Sequence, residues 1–458
     1  MPDKWPLANG NWSNAANWNG GTKPVAGDDV YADSRTLNVD ESFDVATLRT
    51  TQRSGGTIGG TFNFNTAGVT GTVTNPTNSI VQGSNTTPLT ISASSGTITI
   101  LLSSSLNSQS STAVVSYTGL CNLSITTPTV NGNQSFSGSS NVYTINKSSS
   151  GTLTVNGNVV GGNSTGSAIN NTAILSSSGS TIINGNVSPA SSSSGNNLPN
   201  YAINQTGGTL TINGSVNGGN QSTLGSVIFT GTALTVNGNI TGGTVTVAIA
   251  TSAPSVSVTG NILGNAANAL SVSGATNTII GNVTAGTAAA IVSASANQIQ
   301  VTGTVTASAT SQAITMTNAN GQVYLNGNMV NNNGKMAIFA PIVWLDKNNT
   351  TSAAFFTSGG VARTLYSADT VPNTPAVNNV RSGTIYGAGN SLIGTLVMPV
   401  AANSRNGVVY DNGTVGTALF TTSLFLTELS SSTVPVAVRK QNLCTPQILG
   451  ELMEAFKK

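Results

Sequence analysis

The sequence predicts an all-β chain: a parallel β-helix (solenoid) shaft with an N-terminal cap, a small C-terminal β module and a short terminal helix. Three observations carry that expectation. Asn-Gly-Asn and its close variants recur about every 24 residues through the middle of the chain. Between those marks, apolar and small polar residues alternate, β-branched types dominate and helix formers are nearly missing. Charge is scarce: 6% of the 458 residues are Asp, Glu, Lys or Arg, against about a quarter in an ordinary soluble domain.

Residues 1–53 read as the cap and attachment segment. A solenoid end exposes both core and strand edge and needs bulky side chains to cover it; Trp12 and Trp18 are available. Seven of the 13 acidic residues lie here: Asp3, Asp28, Asp29, Asp33, Asp40, Glu41 and Asp44. Asp28, Asp29 and Asp33 supply hard oxygen ligands of the kind calcium takes, but no D-x-D-x-D-G loop is present, so a solvated cap is the better reading.

Residues 54–345 read as the shaft. The central glycines of the repeat are Gly132, Gly157, Gly185, Gly214, Gly238, Gly260, Gly281, Gly303 and Gly327. Each unit begins with an alternating strand such as Leu153-Thr154-Val155 or Leu234-Thr235-Val236. The Asn-Gly step then offers a residue that tolerates positive φ, so the chain turns. A second strand follows, and a Gly- or Ser-rich stretch closes the coil. This period suits a β-helix rung of two or three short strands. At roughly 4.8 Å per rung, residues 54–334 make about a dozen rungs and a rod on the order of 55 Å.

Stacking also accounts for the missing charge. Between Arg53 and Lys335 the only charged residue is Lys147. Equivalent positions of successive rungs sit one above the other, where like charges repel and amides can bond along the ladder. Asn131, Asn156, Asn184, Asn213, Asn237 and Asn326 are the expected ladder residues. Thr152 with Thr154, Thr209 with Thr211, and Thr244 with Thr246 sit on expected exposed strand faces, which suits either ordinary β-surface or a Thr array of the ice-binding type.

Residues 346–380 read as a transition and extended linker. Residues 381–433 read as a small β module with two short repeats, Arg381-Ser382-Gly383-Thr384-Ile385-Tyr386 and Arg405-Asn406-Gly407-Val408-Val409-Tyr410. Residues 434–458 end in a short helix: Thr445 as N-cap and Pro446 at the first helical position, with Ile448, Leu449, Leu452 and Phe456 on one face.

Composition excludes much chemistry. With no histidine there is no Ser-His or Cys-His couple and no imidazole ligand. Cys121 and Cys444 show no metal or disulfide spacing. A net charge of +2 leaves no basic face for nucleic acid. The first residues have no apolar signal core and no apolar run is long enough to span a bilayer, so the chain is expected to be made in the cytoplasm without a signal peptide and without membrane insertion. Glycoside hydrolysis normally needs two carboxylates, and residues 45–345 hold none. The sequence therefore reads as non-enzymatic, with no catalytic set, metal set or cofactor.

Two segments carry a resemblance. Gly10-Asn11-Trp12, Trp18-Asn19-Gly20-Gly21 and Pro24-Val25-Ala26-Gly27-Asp28-Asp29-Val30 resemble the leading module of β-helical surface and virion proteins. Residues 369–419, with Val380-Arg381-Ser382-Gly383-Thr384-Ile385-Tyr386 and Asp411-Asn412-Gly413-Thr414-Val415-Gly416, resemble a small module of bacteriophage structural proteins, mostly fibre-like ones. Val436 to Phe456 is similar to the segment found behind that module. The resemblance implies a virion structural protein: a head or tail fibre, a spike or another capsid-bound appendage. It implies a homotrimer joined to other virion proteins through one end, with a host surface glycan as the possible contact of the other. On that orientation Arg381, Tyr386, Arg405 and Tyr410 are the candidate contact residues, with packing within the module or trimer as their alternative use. Other readings are a polysaccharide-depolymerising tailspike, a bacterial surface adhesin and an ice-binding solenoid.

Overall fold

The structure is a computed structural model that describes residues 2–345 apart from 77–78, 82–88, 108–112, 114, 132–141, 162–170, 190–199, 220–224, 246 and 331–336. Beyond residue 345 it describes the backbone of short strands at 364–367, 385–386, 392–393, 409–410 and 414–415. Two compact units divide at Pro372.

The first unit is a parallel β-solenoid with three strands per coil. Ladder A holds fourteen strands, from Gly10–Asn11 through Thr36–Val39 and Thr61–Phe64 to Ile338–Phe339. Ladder B runs from Phe43–Val45 and Thr70–Val73 to Ile342–Leu345 and Thr364–Ser367. Ladder C runs from Leu106–Asn107 to Met329–Val330. Strands Asn122–Asn131 and Leu153–Val160 are long enough to serve ladders B and C in turn, with an irregularity between Thr126 and Thr129. Thirteen steps along ladder A give a rod of about 62 Å.

Alternation places the core. One inward column of ladder A reads Leu37, Phe62, Leu89, Val115, Ile145, Ile174, Ile203, Val227, Ile249, Leu270, Ile291, Ile314 and Ile338, all in register. Every one of them is fully buried. Each such side chain contributes about 2 kcal/mol by leaving water, but only because a coil above and a coil below cover it. No single coil is stable alone.

The same ladders reach back into the N-terminal segment. Asp3–Lys4, Asp29–Tyr31, Thr47–Arg49 and Ile80–Val81 form a fourth, four-stranded parallel sheet. Just before Ile80, Ser79 and Ser104 exchange bonds: Ser79 N–H donates to Ser104 Oγ at 2.7 Å and Ser104 N–H to Ser79 Oγ at 3.0 Å. These buried hydroxyls replace a ladder pair between coils.

Trp12 and Trp18 fill the first coil and are buried. Trp12 stacks on Phe43 at 4.3 Å and meets Trp18 edge-on at 5.0 Å. The Trp18 indole N–H donates to the Trp12 carbonyl at 2.9 Å, which satisfies its one polar atom inside the core.

In the second unit, Ile385–Tyr386 pairs antiparallel with Leu392–Ile393, and Val409–Tyr410 with Thr414–Val415. Each of the two short sequence repeats thus supplies the first strand of an antiparallel pair. The expected linker at 369–380 and the expected helix at 445–456 lie outside the described residues.

Candidate ligand-contact face

The Asn-Gly-Asn mark builds three adjacent columns with three different jobs. The first Asn makes an amide ladder. Asn184 donates to Asn156, Asn213 to Asn184 and Asn237 to Asn213, each at 2.7 Å, and Asn156 donates to Thr126 Oγ1 at 3.1 Å. The second Asn turns to the backbone: Asn158 Oδ1 accepts from Asn186 N–H, Asn239 from Asn261, Asn261 from Asn282 and Asn282 from Thr304, at 2.8–2.9 Å. Between them stand the glycines, one over another.

Two expectations about this mark need correction. Asn131 is not in the amide ladder: it pairs with Val160 in ladder C, and Thr126 holds the ladder position in that coil. The Pro128 bulge slides the apparent first copy one strip along. Asn326 stands in the same column but over Thr302, because Thr259, Ile280 and Thr302 replace Asn after Asn237. The expected positive φ is found at Gly157, Gly260, Gly281, Gly303 and Gly327, at 148–157°, and not at Gly185, Gly214 and Gly238. At those three, space alone demands glycine: a Cβ on Gly214 would lie 2.2 Å from the carbonyl oxygen of Gly185.

Lys147, the lone charge of the shaft, points inward and is 1% exposed. Its ammonium donates to the Ser149 carbonyl at 2.9 Å, to Ser176 Oγ at 3.3 Å and to the Ser178 carbonyl. The Tyr117 ring centroid lies 5.9 Å away. Burial pushes the ammonium pKa down to about 8, while the three oxygens work to keep the proton. Two coils further on, beyond Ser176, Gln205 takes the same register position and donates to the carbonyls of Gly179, Gly207 and Thr209. The exposed surface of residues 54–334 therefore carries no charge.

The outer face of ladder B changes character along the rod. Its central outward column reads Thr70, Thr99, Ser124, Thr154, Ile182, Thr211, Thr235, Ser257 and Thr278. The next three positions are Gln300, Tyr324 and Trp344, and Tyr366 follows in backbone register. Thr152, Thr154, Thr209 and Thr211 do lie on this face. Thr244 lies in a bend rather than on a strand, and Thr246 is outside the described residues. Ile182 and Ala233 interrupt the hydroxyl array.

At the aromatic end, the Tyr324 and Trp344 rings are 5° from parallel with centroids 5.8 Å apart. Both are tied to one acceptor: Gln322 Oε1 receives the Tyr324 hydroxyl at 2.6 Å and the Trp344 indole N–H at 3.0 Å. Burial raises the Tyr324 phenol above its ordinary pKa, so it stays a donor. Gln298 is the register neighbour of Gln322, and Gln300 that of Tyr324. Two fixed rings and three amides thus share one uncharged, half-buried ledge.

Sequence reasoning did not single out this ledge. Its signal was present: at steps of 22, 24 and 20 residues from Thr278, the repeat places Gln300, Tyr324 and Trp344 where earlier coils carry hydroxyls.

The residues singled out from sequence fall elsewhere. Tyr386 and Tyr410 each sit in one hairpin of the second unit, opposite Leu392 and Thr414. Arg381 and Arg405 are outside the described residues. The N-terminal carboxylates are separately engaged. Asp28 accepts from Val25 N–H, Asp29 from Thr47 and Arg49, and Asp33 from Arg53 and Thr57. Arg53 also lies 4.0 Å over the Trp5 ring. Its bonds hold the Asp33 carboxyl below its ordinary pKa against the opposing effect of burial. Among the described residues no group of three or more Cys, Asp or Glu side chains is gathered as for a metal ion.

No protein-family model, curated protein or solved structure matches the chain.

Proposed function

We propose that the chain is a non-enzymatic virion structural protein, a fibre, spike or capsid-bound appendage that mediates adhesion to a host surface. The observation that carries this reading is the shaft itself: a rod of about 62 Å by strand spacing, in which the one charged residue between Arg53 and Lys335 is buried. A surface of Ser, Thr, Asn, Gln, Tyr, Gly and apolar groups supplies no carboxylate pair of the kind glycoside cleavage normally uses. It can hold position and make contacts. The β-solenoid fits fibre and tailspike shafts in general, and the two C-terminal hairpins coincide with the segment that resembles a phage module. Partnership with other virion proteins through one end, assembly as a homotrimer and location on the virion belong to the same proposal.

The test has two arms. Antibody to this chain is imaged on intact particles, and labelling of head or tail supports the reading. The purified chain is incubated with capsule or lipopolysaccharide, and release of reducing ends would overturn the non-enzymatic assignment in favour of a depolymerase.

A further inference from the structure

We propose that Tyr324, Trp344 and Gln322, with Gln298 and Gln300 beside them, form a binding ledge for an uncharged glycan. The proposal rests on the adhesion reading only for where such a glycan is met, on a cell surface.

The geometry points to this ligand class in three ways. First, the ring pair is held before any ligand arrives. Gln322 Oε1 accepts from both rings, and their planes differ by 5°. Little side-chain freedom remains to be lost on binding. Aromatic rings present an electron-rich face, and the C–H rows of a pyranose are the weakly positive, apolar surface that packs against it.

Second, the polar groups beside the rings are neutral amides. The Gln298 and Gln300 amides each carry donors and an acceptor, and Gln322 carries donors, as hydroxyl pairs of a sugar require. With its oxygen turned to the two rings, Gln322 directs its NH₂ group elsewhere, and Gln298 and Gln300 extend the amide row along the ladder. An anionic glycan would need Arg or Lys, and the ledge residues supply neither.

Third, the ledge breaks the repeat. From Thr70 to Thr278 the column holds small side chains, apart from Ile182. Large aromatics enter this column at Tyr324 and Trp344, with Tyr366 next in backbone register, on the outer face of ladder B rather than the inner one, so Tyr324 and Trp344 do not fill the core. Val323, Leu325, Val343 and Leu345 do that beneath them.

The full-length chain is titrated calorimetrically with neutral hexasaccharides of glucose, mannose and galactose, and with hyaluronan and polysialic acid as charged controls. The expected result is binding of at least one neutral probe, weakened tenfold or more (about 1.4 kcal/mol) in Trp344→Ala and Tyr324→Ala. Trp344→Phe should keep most of the affinity, and Tyr386→Ala all of it. Circular dichroism melts of each variant establish that the shaft is intact. The inference is overturned by failure of every neutral probe, by preference for the charged ones, or by binding that survives both alanine variants. It is overturned equally if Trp344→Ala changes the sedimentation coefficient without any glycan effect, which would make the ledge a contact between copies of this chain. Particle labelling by antibody is independent of all these outcomes, so the adhesion reading and the ledge can fail separately.

Discussion

Gly281 lies so close over Gly260 that a Cβ on it would stand 2.1 Å from the Gly260 carbonyl oxygen. Gly303 over Gly281 and Gly327 over Gly303 repeat the relationship at 2.3 and 2.2 Å. The atom in the way is backbone, which cannot rotate aside as a side chain would. Gly281→Ala is therefore expected to destabilise the rod by about 3 kcal/mol, whereas Ser257→Ala on the outer face changes stability by less than about 0.5 kcal/mol. Chemical denaturation of both variants checks this, and equal stability of the two would remove the steric account.

Asn213 is bonded on both sides, donating to Asn184 and accepting from Asn237. Asn213→Asp loses the donor and sets a charge against the Asn184 oxygen, at an expected cost of about 1–2 kcal/mol at neutral pH. Protonating the new carboxyl restores an O–H donor. The variant should regain part of its deficit relative to the parent in acid, which melts at neutral and acid pH would reveal.

Thr181 stands in an inward column between Leu153 and Leu210. It is fully buried, and its hydroxyl has no hydrogen-bond partner among the described residues. Valine has the same shape without the orphaned polar group, so Thr181→Val should raise stability by about 1 kcal/mol. A lower melting temperature would mean that the hydroxyl is satisfied after all.

Lys147 makes stability depend on pH. Its pKa is about 8 when folded against an ordinary 10.5, so between those values the unfolded chain holds a proton that the folded chain has released. Stability then rises with pH, by at most about 1.4 kcal/mol per unit. Below the folded pKa both states are charged and the contribution is flat. Cys121, whose thiol burial raises above 9.0, acts in the opposite direction from about pH 9, and Tyr31, Tyr117, Tyr201 and Tyr324, raised above 10.0, do so from about pH 10. Urea melts should show the rise from about pH 8 to pH 9 in the parent and lose it in Lys147→Met.

Repetition made the architecture legible before any coordinates. A glycine every 21 to 29 residues, flanked by alternating β-branched side chains, has few packed solutions other than a stacked coil. Register was legible only where the mark was undisturbed: Asn156, Asn184, Asn213 and Asn237 align as their spacing suggests, while the irregularity near Pro128 shifts Asn131 into the neighbouring ladder. The inward turn of Lys147 left no trace in the sequence, because its cage consists of backbone carbonyls and one serine from the next coil. Tyr324 and Trp344 were hidden for a different reason. Each is unremarkable in its own coil, and only the vertical column brings them together.

The burial of Lys147 also bears on how quickly the rod finds a partner. A shaft with no exposed charge projects no field into solution, so there is no long-range steering of encounter and nothing for dissolved ions to screen. Association then proceeds at the unsteered rate, about 10⁵–10⁶ M⁻¹s⁻¹, and is as fast in seawater as in dilute buffer. If the chain is the virion appendage proposed above, retention comes from several weak contacts engaged at once, by copies whose tethering to one particle raises their effective concentration. Such a rod trades speed of first contact for indifference to the medium in which that contact is made.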